Sequence, residues 1–277
     1  ISECLVGSEM CIRDRCNSGC EECKSRESCG IRKAPLNKES SIHKIIGIIS
    51  GKGGVGKSTV TALIARRLAS MGYSVGIMDA DVTGPSVPAM FGIHGKVLSD
   101  ENGIYPMVSQ EGIKIISMNL LLDSEETPVI YRGPVVASII KQFYSDVIWG
   151  SLDYLLIDMP PGTGDVPLTV YQSIPIDGVV MVTSPQNLVK MIVMKAVNMA
   201  SKMSVPLLGI IENYSYFKCE DCDRIYEIFG KSTAEKLAKE LNTTVIARIP
   251  IIPEVAQCED KGIPVTQDID MDLSNLL

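Results

Sequence analysis

No run of apolar residues in this chain is long enough to cross a bilayer, and no secretory signal is visible. Neither a membrane-spanning nor an exported protein is expected, so the cytoplasm is the default location. Positive charge is also scarce: 26 lysines and arginines stand against 33 aspartates and glutamates, a net charge of −7. That balance argues against broad electrostatic binding to nucleic acid or to an anionic membrane, and no basic run compensates locally. The last residues, QDIDMDLSNLL, hold no lysine or arginine, so they do not read as a basic amphipathic tail. Internal repeats are lacking. What is present, 277 residues with 45% hydrophobic and 21% charged content, suits one large α/β domain with a small appendage.

The most informative residues are GKGGVGKST, Gly51 to Thr59. They fit G-x4-G-K-[ST] with Gly51, Gly56, Lys57 and Ser58 at the fixed positions. An apolar run (Ile45, Ile46, Ile48, Ile49) precedes them and a helix-like stretch follows, so the glycines fall at a strand-to-helix turn, the context such a phosphate loop requires. There the backbone N–H groups of Gly51, Lys52, Gly53, Gly54, Val55, Gly56, Lys57, Ser58 and Thr59 can curl around phosphate oxygens, and the helix N-terminus adds partial positive charge. Lys57 is expected at the β/γ-phosphates of ATP, with the Ser58 hydroxyl on Mg²⁺.

Beyond the loop, short apolar runs alternate with helical stretches, which predicts a parallel sheet wrapped by helices. The fold class is α/β, a doubly wound P-loop NTPase sheet with helices on both faces over residues 42–277. Strands are expected at Lys44–Ser50, Ser74–Asp79, Ile113–Met118, Asp153–Asp158, Gly178–Thr183, Leu207–Glu212 and Val245–Ile249. Helices are expected at Lys57–Met71, Val135–Trp149, Leu188–Met203, Thr233–Leu241 and Glu254–Asp260. Ala80 to Gly112 reads as loops near the site. Functional residues should gather at the carboxyl ends of the strands, where Asp79-Ala80-Asp81 and Asp158 lie. A carboxylate there can simply end a strand, but beside a phosphate loop Asp158 is a hard anionic oxygen of the kind Mg²⁺ needs.

KGGVGKS resembles the deviant phosphate loop of the MinD/ParA/Mrp class of dimeric ATPases. The resemblance implies that Lys52 crosses a dimer interface to the partner's nucleotide and is catalytic with Lys57 and Asp81. DADVTGPS, Asp79 to Ser86, and DMPPGTGD, Asp158 to Asp165, resemble the two switches of that class. They imply that Asp158 holds Mg²⁺ through water, that Asp81 positions the attacking water, and that Asp165 is a weaker candidate. GIIENYSYFKCEDCDRIYEIFG, Gly209 to Gly230, is similar to the Mrp/ApbC branch, in which a C-x2-C unit pairs with that of a second subunit around a [4Fe-4S] cluster. It implies Cys219 and Cys222 as cluster ligands and Asn213 at the adenine.

Nine cysteines are many for a reducing compartment, and their clustering points to metal or iron–sulfur ligation rather than disulfides. Six lie in the first 29 residues, and Cys258 reads as a buried apolar residue. Leu5 to Arg15, LVGSEMCIRDR, resembles the in-frame translation of a sequencing-library adapter, so residues 1–15 are read as an artefact. Residues 16–41 form a polar cysteine-rich segment with too few apolar residues for a core of its own. Its Cys20, Cys23 and Cys29 are spaced C-x2-C-x5-C, like the last three ligands of the N-terminal cluster motif in eukaryotic-type cytosolic iron–sulfur scaffold ATPases. The first ligand of that motif falls on Val6, inside the adapter-like string. Cys16 is a substitute, and zinc is a competing occupant.

Taken together the residues and the resemblance give an ATP-binding carrier of a [4Fe-4S] cluster. It would act as a homodimer or with a related chain, with apo iron–sulfur proteins as clients and with ATP and Mg²⁺ as cofactors. Two other readings are open: a MinD/ParA-like positioning ATPase, and a zinc-stabilised nucleotide switch.

Overall fold

The computed structural model describes residues 33–277, apart from 83, 85, 123–132, 187–189, 220 and 266–268 and the side chains of 134 and 190. Residues 1–32, with Cys20, Cys23 and Cys29, therefore lie outside the described residues. Among the described residues no helix is long and apolar enough to cross a membrane.

An eight-stranded sheet organises the chain. Its strands are β1 (Ser41–Ser50), β2 (Val75–Asp79), β5 (Met107–Val108), β6 (Lys114–Ile116), β7 (Ser151–Asp158), β8 (Gly178–Thr183), β9 (Leu207–Glu212) and β12 (Val245–Arg248). They lie in the order β12-β9-β8-β1-β7-β2-β6-β5. Every pairing is parallel except that of the edge strand β5 with β6. Parallel strands covered on both faces must be apolar on both, and all six residues of β8, GVVMVT, are buried.

The two-residue period of a strand sorts these side chains into two cores. Ile45, Ile49, Leu155, Ile157, Val179 and Met181 face α3 (Gly133–Ser145), α4 (Asp165–Ser173), α5 (Lys190–Lys202) and α6 (Ala234–Glu240). Ile46, Ile48, Tyr154, Leu156, Val180 and Val182 face α1 (Lys57–Ser70), α2 (Val87–Met90), α7 (Pro253–Lys261) and the C-terminal residues Ile269, Met271, Leu273 and Leu276. The sheet is thus wound on both faces, as the alternating pattern predicts.

The structure departs from or adds to the sequence pattern at four places. The helix predicted to reach Trp149 ends at Ser145, because Val147 and Trp149 are buried in their own right and Val147 bridges to Ile104. α4 was not foreseen, since it opens inside the Gly- and Pro-rich DMPPGTGDVP, with Asp165 and Pro167 in its first turn. The Ala80–Gly112 stretch holds α2, β5 and the antiparallel pair β3 (Leu98–Ser99) and β4 (Ile104–Tyr105). A second antiparallel pair, β10 (Phe217–Lys218) and β11 (Ile225–Tyr226), carries the cysteine turn.

α7 ends at Gly262, in the left-handed region at φ 62, and there it meets the glycine that follows α2. A Cβ on Gly262 would fall 2.3 Å from the Gly92 Cα. Gly262→Ala combines that overlap with a left-handed backbone, so it is expected to cost about 1–3 kcal/mol. A shift of the urea midpoint at unchanged slope reads it; an unchanged midpoint would show that the two glycines have slack.

Candidate nucleotide and cysteine sites

β1 ends at Ser50, and the chain then reverses through the phosphate loop into α1. Gly56 makes that turn at φ 75, and a Cβ there would lie 2.2 Å from the Asn213 Nδ2. Glycine is therefore required twice over, for its backbone angle and for the side chain pressed against it. Gly51 is buried against the backbone of α5, where a Cβ would meet the Val193 nitrogen at 2.9 Å. Gly53, Gly54, Gly56, Lys57, Ser58 and Thr59 line a cavity of about 230 Å³ together with Lys52, Asp81 and Pro161. Val55 points inward and is buried.

Lys57 and Ser58, which line the cavity, rest on a buried carboxylate. Asp158 ends β7, is fully buried, and receives Lys57 Nζ at 2.7 Å. Ser58 Oγ donates to its Oδ2 at 2.6 Å, and Thr61 Oγ1 lies 2.8 Å from its Oδ1. Strand register sets Asp79 of β2 directly beside Asp158. Both carboxylates share the sheet face that α1 covers, being two residues on from Ile77 and Leu156. Asp79 also accepts from Ser117 Oγ at 3.0 Å and from the Asp81 N–H at 3.1 Å. Burial, reinforced by the neighbouring Asp158 charge, pushes the Asp79 carboxyl up to about 8. One lysine thus faces two buried carboxylates, and the second keeps its proton.

The oxygens of Ser58 and Asp158 are hard donors that fit Mg²⁺. Asp81 lines the cavity, half-buried, with its N–H on Asp79. Asp165 is exposed at the start of α4 and is not among the lining residues. Lys52 is half-buried, and its ammonium donates to Gln186 Oε1 of the same chain. Asn213 is buried under the loop, and its Nδ2 donates to the Val55 carbonyl at 3.0 Å.

Three residues at this site were missed by sequence reasoning. Asp79 was visible as the first residue of DAD, but its inward orientation depends on register. Thr61 is one turn on from Lys57 and looks like any helix threonine. Glu259 of α7 accepts from Thr59 Oγ1 at 2.9 Å, and burial raises its carboxyl above the usual range; no motif marks it.

The cysteine turn projects beyond the end of β9. Cys219 is half-buried, Cys222 exposed, and neither is in a disulfide. The Cys219 N–H bonds to the Arg224 carbonyl at 3.0 Å, and the Asp223 N–H to the Cys219 carbonyl at 2.9 Å. Cys219 also borders a second cavity, of about 560 Å³, between the β10–β11 hairpin and Pro250–Pro253. The hairpin and the residues just after it carry exposed apolar side chains at Ile225, Tyr226, Ile228 and Phe229. Among the described residues no group of three or more His, Cys, Asp or Glu side chains could hold a metal ion. Cys258 is buried, as expected of a small apolar residue.

The Asp79 proton has a measurable consequence. The unfolded chain loses it near the ordinary value of 3.8 and the folded chain only near about 8. The folded state therefore binds the extra proton between those values, and stability falls as pH rises through that window. Asp79→Asn should flatten the fall, so its urea midpoint relative to wild type should improve between pH 5 and pH 8. Parallel midpoints for the two proteins would show that Asp79 is ionised throughout.

Residues 41–275 match the family model described as NUBPL iron-transfer P-loop NTPase. An iron-sulfur cluster carrier protein of Methanococcus maripaludis is 44% identical over 93% of this chain and 93% of its own length. One from Methanocaldococcus jannaschii is 46% identical over 90% of each. Among solved structures, a nucleotide-binding protein of Archaeoglobus fulgidus in complex with ADP is 44% identical. It has a TM-score of 0.72 and covers 80% of this chain and 87% of that one. The cell-division ATPase MinD of Pyrococcus furiosus, 23% identical with a TM-score of 0.58 over 80% of this chain and 89% of its own, shares the fold. A phosphate loop over a buried aspartate, a doubly wound sheet and these matches over most of the chain lead to one conclusion: the protein belongs to the iron–sulfur cluster carrier family of P-loop NTPases.

Proposed function

We propose that this chain binds Mg·ATP at the phosphate loop and carries a [4Fe-4S] cluster between two copies of itself, through Cys219 and Cys222, for delivery to apo-proteins in the cytoplasm. The observation that carries the reading is one phosphate loop and one two-cysteine turn in a chain of this family. Two thiolates per chain leave a four-iron cluster half-ligated, and a two-fold dimer supplies the other two symmetrically. The exposed apolar side chains beside the turn support an association there. Cys20, Cys23 and Cys29, with Cys16, form a second candidate metal site.

In this reading Lys57 neutralises charge on the β- and γ-phosphates, and the loop N–H groups orient them. Ser58 and Asp158 would hold Mg²⁺, which neutralises phosphate charge when bound. Asp81 orients the attacking water, and an adenine contact by Asn213 belongs to the same proposal. Lys52 leaves Gln186 and reaches the nucleotide of the partner copy, which makes hydrolysis depend on dimerisation. Cluster delivery is a ligand exchange in which client thiolates replace those of Cys219 and Cys222, with no net change in electrons.

A zinc-stabilised nucleotide switch is the second reading, favoured by the ability of paired thiolates to bind zinc equally well. Serine at both Cys219 and Cys222 should remove the bridging cluster and the cluster-dependent dimer while leaving ATP binding within about three-fold of wild type. Iron, sulfide and zinc per chain, with mass by light scattering after anaerobic reconstitution, decide it. Iron undiminished by the double substitution contradicts the reading. Lys52→Ala should retain nucleotide and lose at least about ten-fold in hydrolysis; a wild-type turnover would remove the trans role.

A further inference from the structure

We infer that Glu212 is the positioning residue that ties the cysteine turn to the phosphate loop, through the four-residue corner Glu212-Asn213-Tyr214-Ser215. Glu212 closes β9 and is fully buried. Its carboxylate accepts from Ser215 Oγ at 2.7 Å and from the Thr233 N–H at 3.3 Å. Ser215 and Thr233 bracket the segment that holds β10, the cysteine turn and β11, so one side chain pins both ends of the excursion carrying Cys219 and Cys222. Arg248 of β12 completes the clamp, with its Nε 3.1 Å from Ser215 Oγ and 3.6 Å from Glu212 Oε2.

The next residue faces the phosphate loop. Asn213 props the Val55 carbonyl and lies against Gly56, and a Cβ on Gly56 would also lie 2.9 Å from the Tyr214 hydroxyl. Consecutive Cα atoms are held about 3.8 Å apart by a planar peptide, so the prop and the clamp sit on adjoining residues of one corner. Tyr214 sits in the left-handed region at φ 56, and the Asn213 and Ser215 N–H groups are fixed to the Thr183 and Ile249 carbonyls at 2.8 Å each. A corner so constrained shifts as a unit rather than bending. Displacement of the loop by a nucleotide is therefore delivered to Ser215 and Thr233, and from there to the cysteine turn.

This inference rests on the reading of the loop as an ATP site and of Cys219 and Cys222 as the cargo site, but its test needs no cluster. Metal-free, reduced full-length chain is alkylated with iodoacetamide with and without saturating Mg·ADP, and the rates at Cys219 and Cys222 are followed by peptide mass. Nucleotide should change at least one wild-type rate by about five-fold or more, whereas Glu212→Ala should bind Mg·ADP within about three-fold of wild type and lose the change. Glu212→Gln keeps an acceptor for Ser215 and should recover part of the response, which a purely structural role would not grade in this way. If Glu212→Ala does not fold, Ser215→Ala removes the same bond at lower cost and should also blunt the response. Wild-type rates indifferent to bound nucleotide, or a full response in the variant that folds, overturn the inference. A wild type that binds no nucleotide at all overturns the ATP reading and this inference with it.

Discussion

The structure depends on the buried carboxylate of Asp158. A fully buried anion is tolerated only when paired and hydrogen-bonded, and Asp158 is met by Lys57, Ser58 and Thr61. Those three partners lie on the first turns of α1 and Asp158 at the end of β7, so the ion pair fixes helix to sheet at the point where phosphates would enter. The glycine turn above it has few ways to close once that end of α1 is placed. Asp79, next to Asp158 in register, is pushed up to about 8 by its burial and by the neighbouring Asp158 charge.

From this floor the rest of the site is built in layers. The loop lies on Asp158 and is supported from the side by Asn213 and Glu259. Asn213 leads directly into the corner held by Glu212, and the corner leads into the hairpin with the two cysteines. The phosphate loop and the cysteine turn thus both follow the carboxyl ends of parallel strands, β1 near the middle of the sheet and β9 two strands away. α2 and α7, in contact at Gly92 and Gly262, connect the stretch after β2 to the same helix that touches Thr59.

Much of this was legible in the sequence. The alternation of apolar runs with helical stretches carries the doubly wound sheet, and GKGGVGKST and Asp81 mark the cavity without reference to contacts. What was illegible depends on distance in three dimensions. Asp79 and Asp158 become a pair only through register, Thr61 and Glu259 join the site through helix packing, and Glu212 looks like an ordinary strand-terminating acid. α4 escaped because it starts straight after the Pro- and Gly-rich stretch Pro160–Gly164 and carries Pro167 in its first turn. The apolar Val147-Ile148-Trp149 run misled in the opposite sense, since buried non-helical chain carries the same composition as a helix interior.

The central claim is that two chains share one iron–sulfur cargo at the Cys219–Cys222 turn. Native mass spectrometry of the anaerobically reconstituted wild-type protein tests it most directly. The account predicts a two-chain species whose added mass includes four irons and four sulfides at the bridging site and that falls to apo monomers when the cluster is chelated. A species in which each single chain retains its own full metal complement, or in which the dimer carries only zinc, would contradict it.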